Sequence, residues 1–347
     1  MKKYLPVQKN RFEPFTETDI FKNKSSILKN YYQEKEQYHH IEKELLITGS
    51  EIAFDLFIHL NLSYKPLLSA SEDSPAKLTE EVLNTVKDGD VVIKKADLPV
   101  YREYIKSLEV QPPLDAPDEK IKAAVIKEKT KLVVRNVLSD PYNGTHIKES
   151  GKVVEEITSS IINNKNILFN IISLKNKDYY TYLHSTNTAV LSIALGAAAG
   201  VSRDRLQSLG VGGLLHDIGK TNIPSDVLNK PGRLTFFEYR MMQNHVMEGE
   251  KILKNQPYFP ENAMSAVTQH HEKLNGQGYP FNLTGSYITI YGRILALADT
   301  YDALTTQRPY KVAHTPFEAL SIIVNECEQY DPDLLKTFIK MLGGVED

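Results

Sequence analysis

The chain has 347 residues, 41% hydrophobic and 24% charged, with 41 basic against 44 acidic side chains and a net charge of -3. Such a chain can bury a sizeable core, which excludes intrinsic disorder, and its balanced charge sets up no bulk field for nucleic acid or anionic lipid. The single cysteine, Cys327, excludes a disulfide scaffold, a four-cysteine zinc site and a CxxC redox pair, and in a helical tail it reads as a small packing residue.

In chain order, Met1–Glu13 carries Lys2 and Lys3 without the apolar run of a signal peptide. The longest apolar stretch, Ala189–Val201, is broken by Ser192, Gly196 and Gly200 and is too short to span a bilayer. A soluble cytoplasmic protein is expected, with no nucleic-acid polymer and no membrane as partner. His39 and His40 fall in a charged, tyrosine-rich stretch read as a solvated helical face. Thr79 reads as an N-cap, with Glu80 and Glu81 in the first turn where the helix dipole favours acid. The turn dipeptide Asp88-Gly89 precedes a Val91-Val92-Ile93 strand, and Asp97 caps a helix through Val100, Tyr101 and Tyr104. Residues 1–111 therefore read as a small α/β domain, regulatory or interacting, open to a signal or a protein partner.

Pro112-Pro113 and Pro117 break the chain. Residues 112–150 read as a Pro-rich linker and a connecting helix over Asp118–Leu138, whose Ile121, Val125, Leu132 and Val137 could seat a partner helix in a homodimer. Residues 151–347 read as wholly helical, with runs over Val153–Leu174, Asp178–Ala199, Asp204–His216, Thr235–Lys254, Pro260–Lys273, Ile288–Thr305 and Pro316–Glu328. The expected fold class is mainly α, an all-α C-terminal bundle behind the small α/β domain and its connecting helix.

The chemistry is concentrated in that helical region. His184, His216, His245, His270 and His271 fall on successive predicted helices, joined by Asp217 and Asp299, and the positions recur roughly 25 to 32 residues apart, about one helical hairpin. A bundle that brings consecutive helices together could gather all seven donors at one point. Seven exceed what one ion needs, whereas two ions sharing a carboxylate would use them all. Imidazole and carboxylate suit iron, manganese or zinc, and the lack of thiolate argues against a structural zinc site. Adjacent helical residues point about 100° apart, so His216 and Asp217 could serve one ion together while the second Asp217 oxygen reaches another. Lys220 would bring a point charge suited to a phosphate.

These local sequences resemble the HD-GYP family, cyclic di-GMP phosphodiesterases among the HD metal-dependent phosphohydrolases. The resemblance runs through His184-Ser185-Thr186-Asn187, Leu214-Leu215-His216-Asp217-Ile218-Gly219-Lys220, Ile223-Pro224 and Lys230 to Thr235. It continues through His270-His271-Glu272-Lys273, Gly276-Gln277-Gly278-Tyr279-Pro280, Arg293, Ala298-Asp299, Tyr301 to Leu304 and Arg308-Pro309-Tyr310, spanning about 150 residues. It implies an HD-type helical domain with two divalent ions, iron or manganese. One would be held by His184, His216, Asp217 and Asp299, the other by His245, His270 and His271 with Asp217 bridging. It further implies cyclic di-GMP as substrate, opened to linear pGpG by a hydroxide between the metals, with a second cut to GMP left open. Asp217 and Lys220 would be catalytic, and Lys220, Tyr279, Arg308 and Lys311 would contact the dinucleotide.

Alternatives are a cyclic dinucleotide receptor signalling through the N-terminal domain, or a hydrolase of another cyclic dinucleotide. The complete donor set favours the enzyme over the receptor. Arg293, on an apolar helix, reads as an ion pair rather than a substrate contact. Two departures stand out: Asn275 occupies a position that is usually Asp, and Tyr180 stands where some relatives place a Glu for a third metal. A two-metal centre is therefore expected.

Overall fold

The computed structural model describes residues 37–60, 63–86, 90–110, 118–173, 180–230, 232–306 and 313–343. Its strands are β1 (Tyr38–His40), β2 (Glu51–Ile52), β3 (Leu56–Leu60), β4 (Ser63–Leu68), β5 (Ala76–Lys77) and β6 (Asp90–Lys94). The expected Val-Val-Ile strand, β6, lies inside an antiparallel sheet of order β1-β6-β3-β4, while β2 and β5 form a separate ribbon. This corrects the reading of His39 and His40. They lie on β1, not on a helix, and both are buried rather than solvated. Three residues are too few for a local pattern to identify a strand; pairing with β6 decides it.

Helix α1 (Glu80–Thr85) is capped by Thr79, whose hydroxyl accepts from the Val82 N–H, and α2 (Leu98–Val110) follows Asp97. Helix α3 (Asp118–Ser139) is the expected connecting helix, but its apolar side chains are covered by the chain itself. Ile121, Val125 and Leu132 pack with the sheet and α2, whereas Ala123, Ile126, Val134 and Val137 join the helical core. Each large apolar side chain buried this way contributes about 1.5–3 kcal/mol, so α3 cements the two cores together. The seam that suggested a homodimer is spent within one chain.

The remaining helices are α4 (Gly144–Asn163), α5 (Ile167–Ser173), α6 (Tyr180–Ala198), α7 (Arg203–Leu215), α8 (Ser225–Leu228), α9 (Phe236–Gln243), α10 (His245–Leu253), α11 (Met264–Gln269), α12 (Ile290–Thr305), α13 (Pro316–Asn325) and α14 (Pro332–Gly343). Helix α4 starts earlier than expected because Asn143 caps it, accepting from the Thr145 N–H. The single helix expected over Thr235–Lys254 is two, parted at Asn244. The unanticipated α14 buries Leu334, Leu335 and Phe338, the last edge-on to Tyr301. Cys327 is exposed, not packed. Central to the bundle is α6, whose Ala189, Val190, Leu191, Ile193 and Leu195 are buried on successive faces, and it packs against α7 and α12. No helix among the described residues is long and apolar enough to cross a membrane.

Candidate metal centre

The bundle brings all seven expected donors to one place. His184 sits in the second turn of α6, His216 at the end of α7, and Asp217 directly after it. His245 opens α10, His270 and His271 follow α11, and Asp299 lies within α12. Helix α7 ends here because the chain turns into a 3-10 segment at Ile218–Asn222. There Gly219 lies against the backbone of His245 and Gly249, so close that any β-carbon would collide with it. That contact seats α10, and His245 with it, against the His-Asp pair.

The donors form overlapping trios: His184, His216 and Asp299; His245, His270 and His271; His216, Asp217 and His270. Asp217 faces both sides. Its Oδ2 is 3.6 Å from His184 Nε2 and 3.4 Å from His216 Nε2, while its Oδ1 is 3.4 Å from His245 Nε2. Asp299 Oδ1 is 3.1 Å from His184 Nε2, and its Oδ2 is 3.8 Å from His271 Nδ1. His216, His245 and His270 each donate Nδ1–H to the carbonyl three residues back, of Gly213, Met242 and Val267, at 2.7 Å. That fixes the tautomer and leaves Nε2 as a lone-pair donor turned inward. His216 Nε2 and Asp217 Oδ1 are buried with no hydrogen-bond partner. Orphaned buried donors of this kind are costly unless a cation takes them, so the donor set fits divalent metal.

The electrostatics differ between the two sides of the cluster. Burial pushes His245 down to about 4 and His271 to about 3, so both are neutral and available near pH 7. Burial also opposes charge on His184, but hydrogen bonds and charge from Asp299 and Asp302 outweigh it and raise it to about 10. For Asp217, burial is outweighed by His216 and Lys220, and its carboxyl stays well below the usual carboxylate range.

Three residues to which the sequence assigned no role prove structural to this centre. Asp302, one helical turn after Asp299, receives His184 Nδ1 at 2.7 Å and the Asn187 amide at 2.8 Å. It orients His184 without facing the other ligands. Replacing Asp302 by alanine is expected to weaken metal binding about 10–100-fold while the helical circular dichroism stays intact, as metal titration would measure. Glu272 is the third, buried at 1% exposure; Oε1 accepts from the Phe281 N–H at 2.7 Å and Oε2 from the Leu283 N–H at 2.9 Å. The visible signal for all three was a polar residue within a few positions of an expected metal ligand.

Glu272 holds the Gly276–Pro280 loop against the histidines. Gly278 lies so close to the backbone of Glu272 and Lys273 that a side chain would not fit, and the Tyr279 N–H donates to the His271 carbonyl. The Tyr279 ring stacks on His271, centroids 4.6 Å apart at 28°. Burial, then Tyr239, Asp299 and Asp217, raise its phenol, which therefore keeps its proton to donate. Asn275 Oδ1 accepts from the Gln277 N–H, so the turn is made without the carboxylate charge. Glu272→Ala would strand two backbone donors and is expected to destabilise the protein by about 2–4 kcal/mol, with amide exchange accelerating first over 278–283.

Lys220 Nζ lies 2.5 Å from Asp217 Oδ2 with its side chain partly exposed, at the mouth of the cluster. Arg308 and Lys311 lie outside the described residues. Arg293 makes the expected ion pair, with Asp331 at 3.0 Å, and also donates to the Ile288 and Gly285 carbonyls.

A family model described as HD domain matches residues 166–334. A cyclic di-GMP phosphodiesterase of Pseudomonas aeruginosa is 33% identical over 223 residues, 64% of this chain and 54% of that protein. A cyclic di-GMP phosphodiesterase of Thermotoga maritima is 31% identical over 246 residues, 66% of this chain and 67% of that protein. The 3'3'-cGAMP-specific phosphodiesterase 1 of Vibrio cholerae is 33% identical over 190 residues, 54% of this chain and 42% of that protein. The chain thus spans about half the length of the Pseudomonas and Vibrio relatives. Among solved structures, an HDG"Y"P protein from Bdellovibrio bacteriovorus shares the fold, with a TM-score of 0.68, 20% identity, and 88% of this chain and 100% of that chain covered.

Proposed function

This chain belongs to the HD-GYP family of HD metal-dependent phosphohydrolases, and from that we propose that it hydrolyses a 3′–5′ phosphodiester of a cyclic dinucleotide, cyclic di-GMP first, giving linear pGpG. The observation that carries the reading is Asp217, whose two oxygens face different histidine groups, as a carboxylate shared by two divalent ions requires. His184, His216 and Asp299 would hold one ion and His245, His270 and His271 the other, iron or manganese by donor chemistry. Helix α6 opens on Tyr180 rather than an acid one turn before His184, so the proposed number is two. Such ions supply an acidified water and take up charge on phosphate oxygens.

The chain's own groups do the rest. Lys220 holds a nonbridging oxygen of the scissile phosphate at the mouth of the cluster, and Arg308 and Lys311 contact the dinucleotide backbone. Tyr279, seated on His271, offers a ring face and a phenol proton to the ligand. One water is consumed, the bond from phosphorus to one 3′ oxygen breaks, and a 5′ phosphate and a 3′ hydroxyl remain.

A second substrate has a specific observation behind it, since relatives named as 3'3'-cGAMP-specific share 33% and 36% identity with this chain. Manganese- or iron-loaded protein is therefore to be incubated separately with cyclic di-GMP, 3'3'-cGAMP and pGpG, and the products separated. Linear pGpG from the first is the expected result. Conversion of 3'3'-cGAMP alone would move the assignment to that nucleotide, and both left intact by metal-loaded protein would overturn hydrolysis in favour of a receptor. Stripping the metals with a chelator is expected to abolish turnover, and manganese or iron to restore it.

A further inference from the structure

The N-terminal sheet carries a second convergence of metal-type donors, outside the centre described above. On β6, Asp90 and Val92 point to one face; His59 of β3 stands opposite Asp90, and His40 of β1 opposite Val92. Alternation along three paired strands thus sends His40, His59 and Asp90 to the same side of the sheet. Their donor atoms lie within 4.8 Å of one another. His40 is 2% exposed and His59 is 8% exposed, with Asp90 half-buried.

The two imidazoles stand 5.5 Å apart, centroid to centroid, with planes at 89°. That matches His245 with His271, at 5.2 Å and 84°, and His184 with His216, at 5.2 Å and 72°, in the candidate metal centre. Tyr64 stacks on His59 at 4.6 Å and Tyr38 on Tyr64 at 4.2 Å, bracing the ring from one side. The opposite face of these strands supplies Ile41, Val91 and Ile93 to the apolar core.

We propose that His40, His59 and Asp90 bind one divalent transition-metal ion, zinc by preference. Two imidazole nitrogens and one carboxylate oxygen, with water completing a tetrahedron, are a familiar zinc set. Tetrahedral donors about 2.0–2.2 Å from such an ion stand roughly 3.3–3.6 Å apart, so side-chain rotation of up to about 1.5 Å closes the trio. Three backbone-paired strands give the site a rigid frame. The His40 carbonyl also receives Lys131 Nζ of α3 at 3.2 Å, so an ion here would brace the strand that ties the sheet to the connecting helix.

The test counts metal on the full chain. Protein stripped by chelator is reloaded with zinc, desalted and analysed for zinc per chain, as wild type, His59→Ala and Asp90→Asn. The wild type is expected to hold one equivalent more than either variant, and its unfolding temperature to rise further with zinc than theirs. Manganese-supported turnover should be the same in all three. The same one-equivalent loss is expected when His59→Ala is added to Asp217→Ala, which separates the sheet from the bundle centre. Asp90→Asn is nearly isosteric and carries the comparison if His59→Ala fails to fold. Equal zinc in wild type and Asp90→Asn, with no difference in stabilisation, overturns the proposal.

Discussion

Replacing Asp217 by alanine is expected to lower turnover of cyclic di-GMP at least about a thousandfold and to reduce bound metal in the same preparation. Asp217 is the residue whose oxygens reach both sides of the cluster, toward His184 and His216 through Oδ2 and toward His245 through Oδ1. On the proposed two-ion reading its loss would remove the shared anion, and charge stabilisation of several kcal/mol by metals is worth roughly a factor of ten for each 1.4 kcal/mol. It also leaves the Lys220 ammonium, now 2.5 Å from Oδ2, without its anion. Elemental analysis and product separation check both halves. Turnover within tenfold of wild type would overturn the assigned role of Asp217, whatever the substrate. Asp217→Asn is expected to fall nearly as far, because an amide keeps the shape and loses the charge.

The second large effect is on stability. Glu128→Ala is expected to cost about 3–5 kcal/mol, the usual penalty for breaking a buried ion network from one side. Glu128 on α3 is fully buried; Oε1 receives His39 Nε2 at 2.7 Å, and Oε2 receives Lys131 Nζ at 2.9 Å and the Glu42 N–H at 3.2 Å. Lys131 also reaches Glu42 Oε1 at 3.0 Å, so removing Glu128 leaves this buried ammonium with one carboxylate in place of two and takes a partner from His39 Nε2 and the Glu42 N–H. Burial alone would raise the Glu128 carboxyl, but Lys131 and His39 outweigh it and hold it at about 2.

Because the folded value lies below the unfolded one of about 4.3, the network's contribution is complete above pH 5 and is lost as pH falls toward 2. Wild type should therefore lose stability steeply between pH 5 and 3, and Glu128→Ala should show a shallower slope there. Urea unfolding at pH 7, 5 and 4 measures both. Parallel slopes would contradict this account. Replacing Glu128, Lys131 and Glu42 together by apolar residues of similar volume should cost much less than Glu128→Ala alone.

The amino-acid sequence determined by itself what is local. Thr79 announces a helix start because its side-chain oxygen caps a backbone N–H three residues on, and it does so here. The ordered series of histidines and acids was equally legible, since a donor type is a property of one residue and its spacing reports the helical hairpins.

Tertiary structure alone decided what depends on partners distant in the chain. His39 and His40 became buried strand residues because β1 pairs with β6, more than fifty positions away, and no run of three residues encodes that. Asp302 and Glu272 acquired their roles from groups brought to them by folding, a histidine on another helix and two N–H groups of a returning loop. The connecting helix looked like a surface for a partner until two cores closed over it. Periodicity reports which side chains are apolar, whereas which element buries them is set by the free energy of the whole assembly.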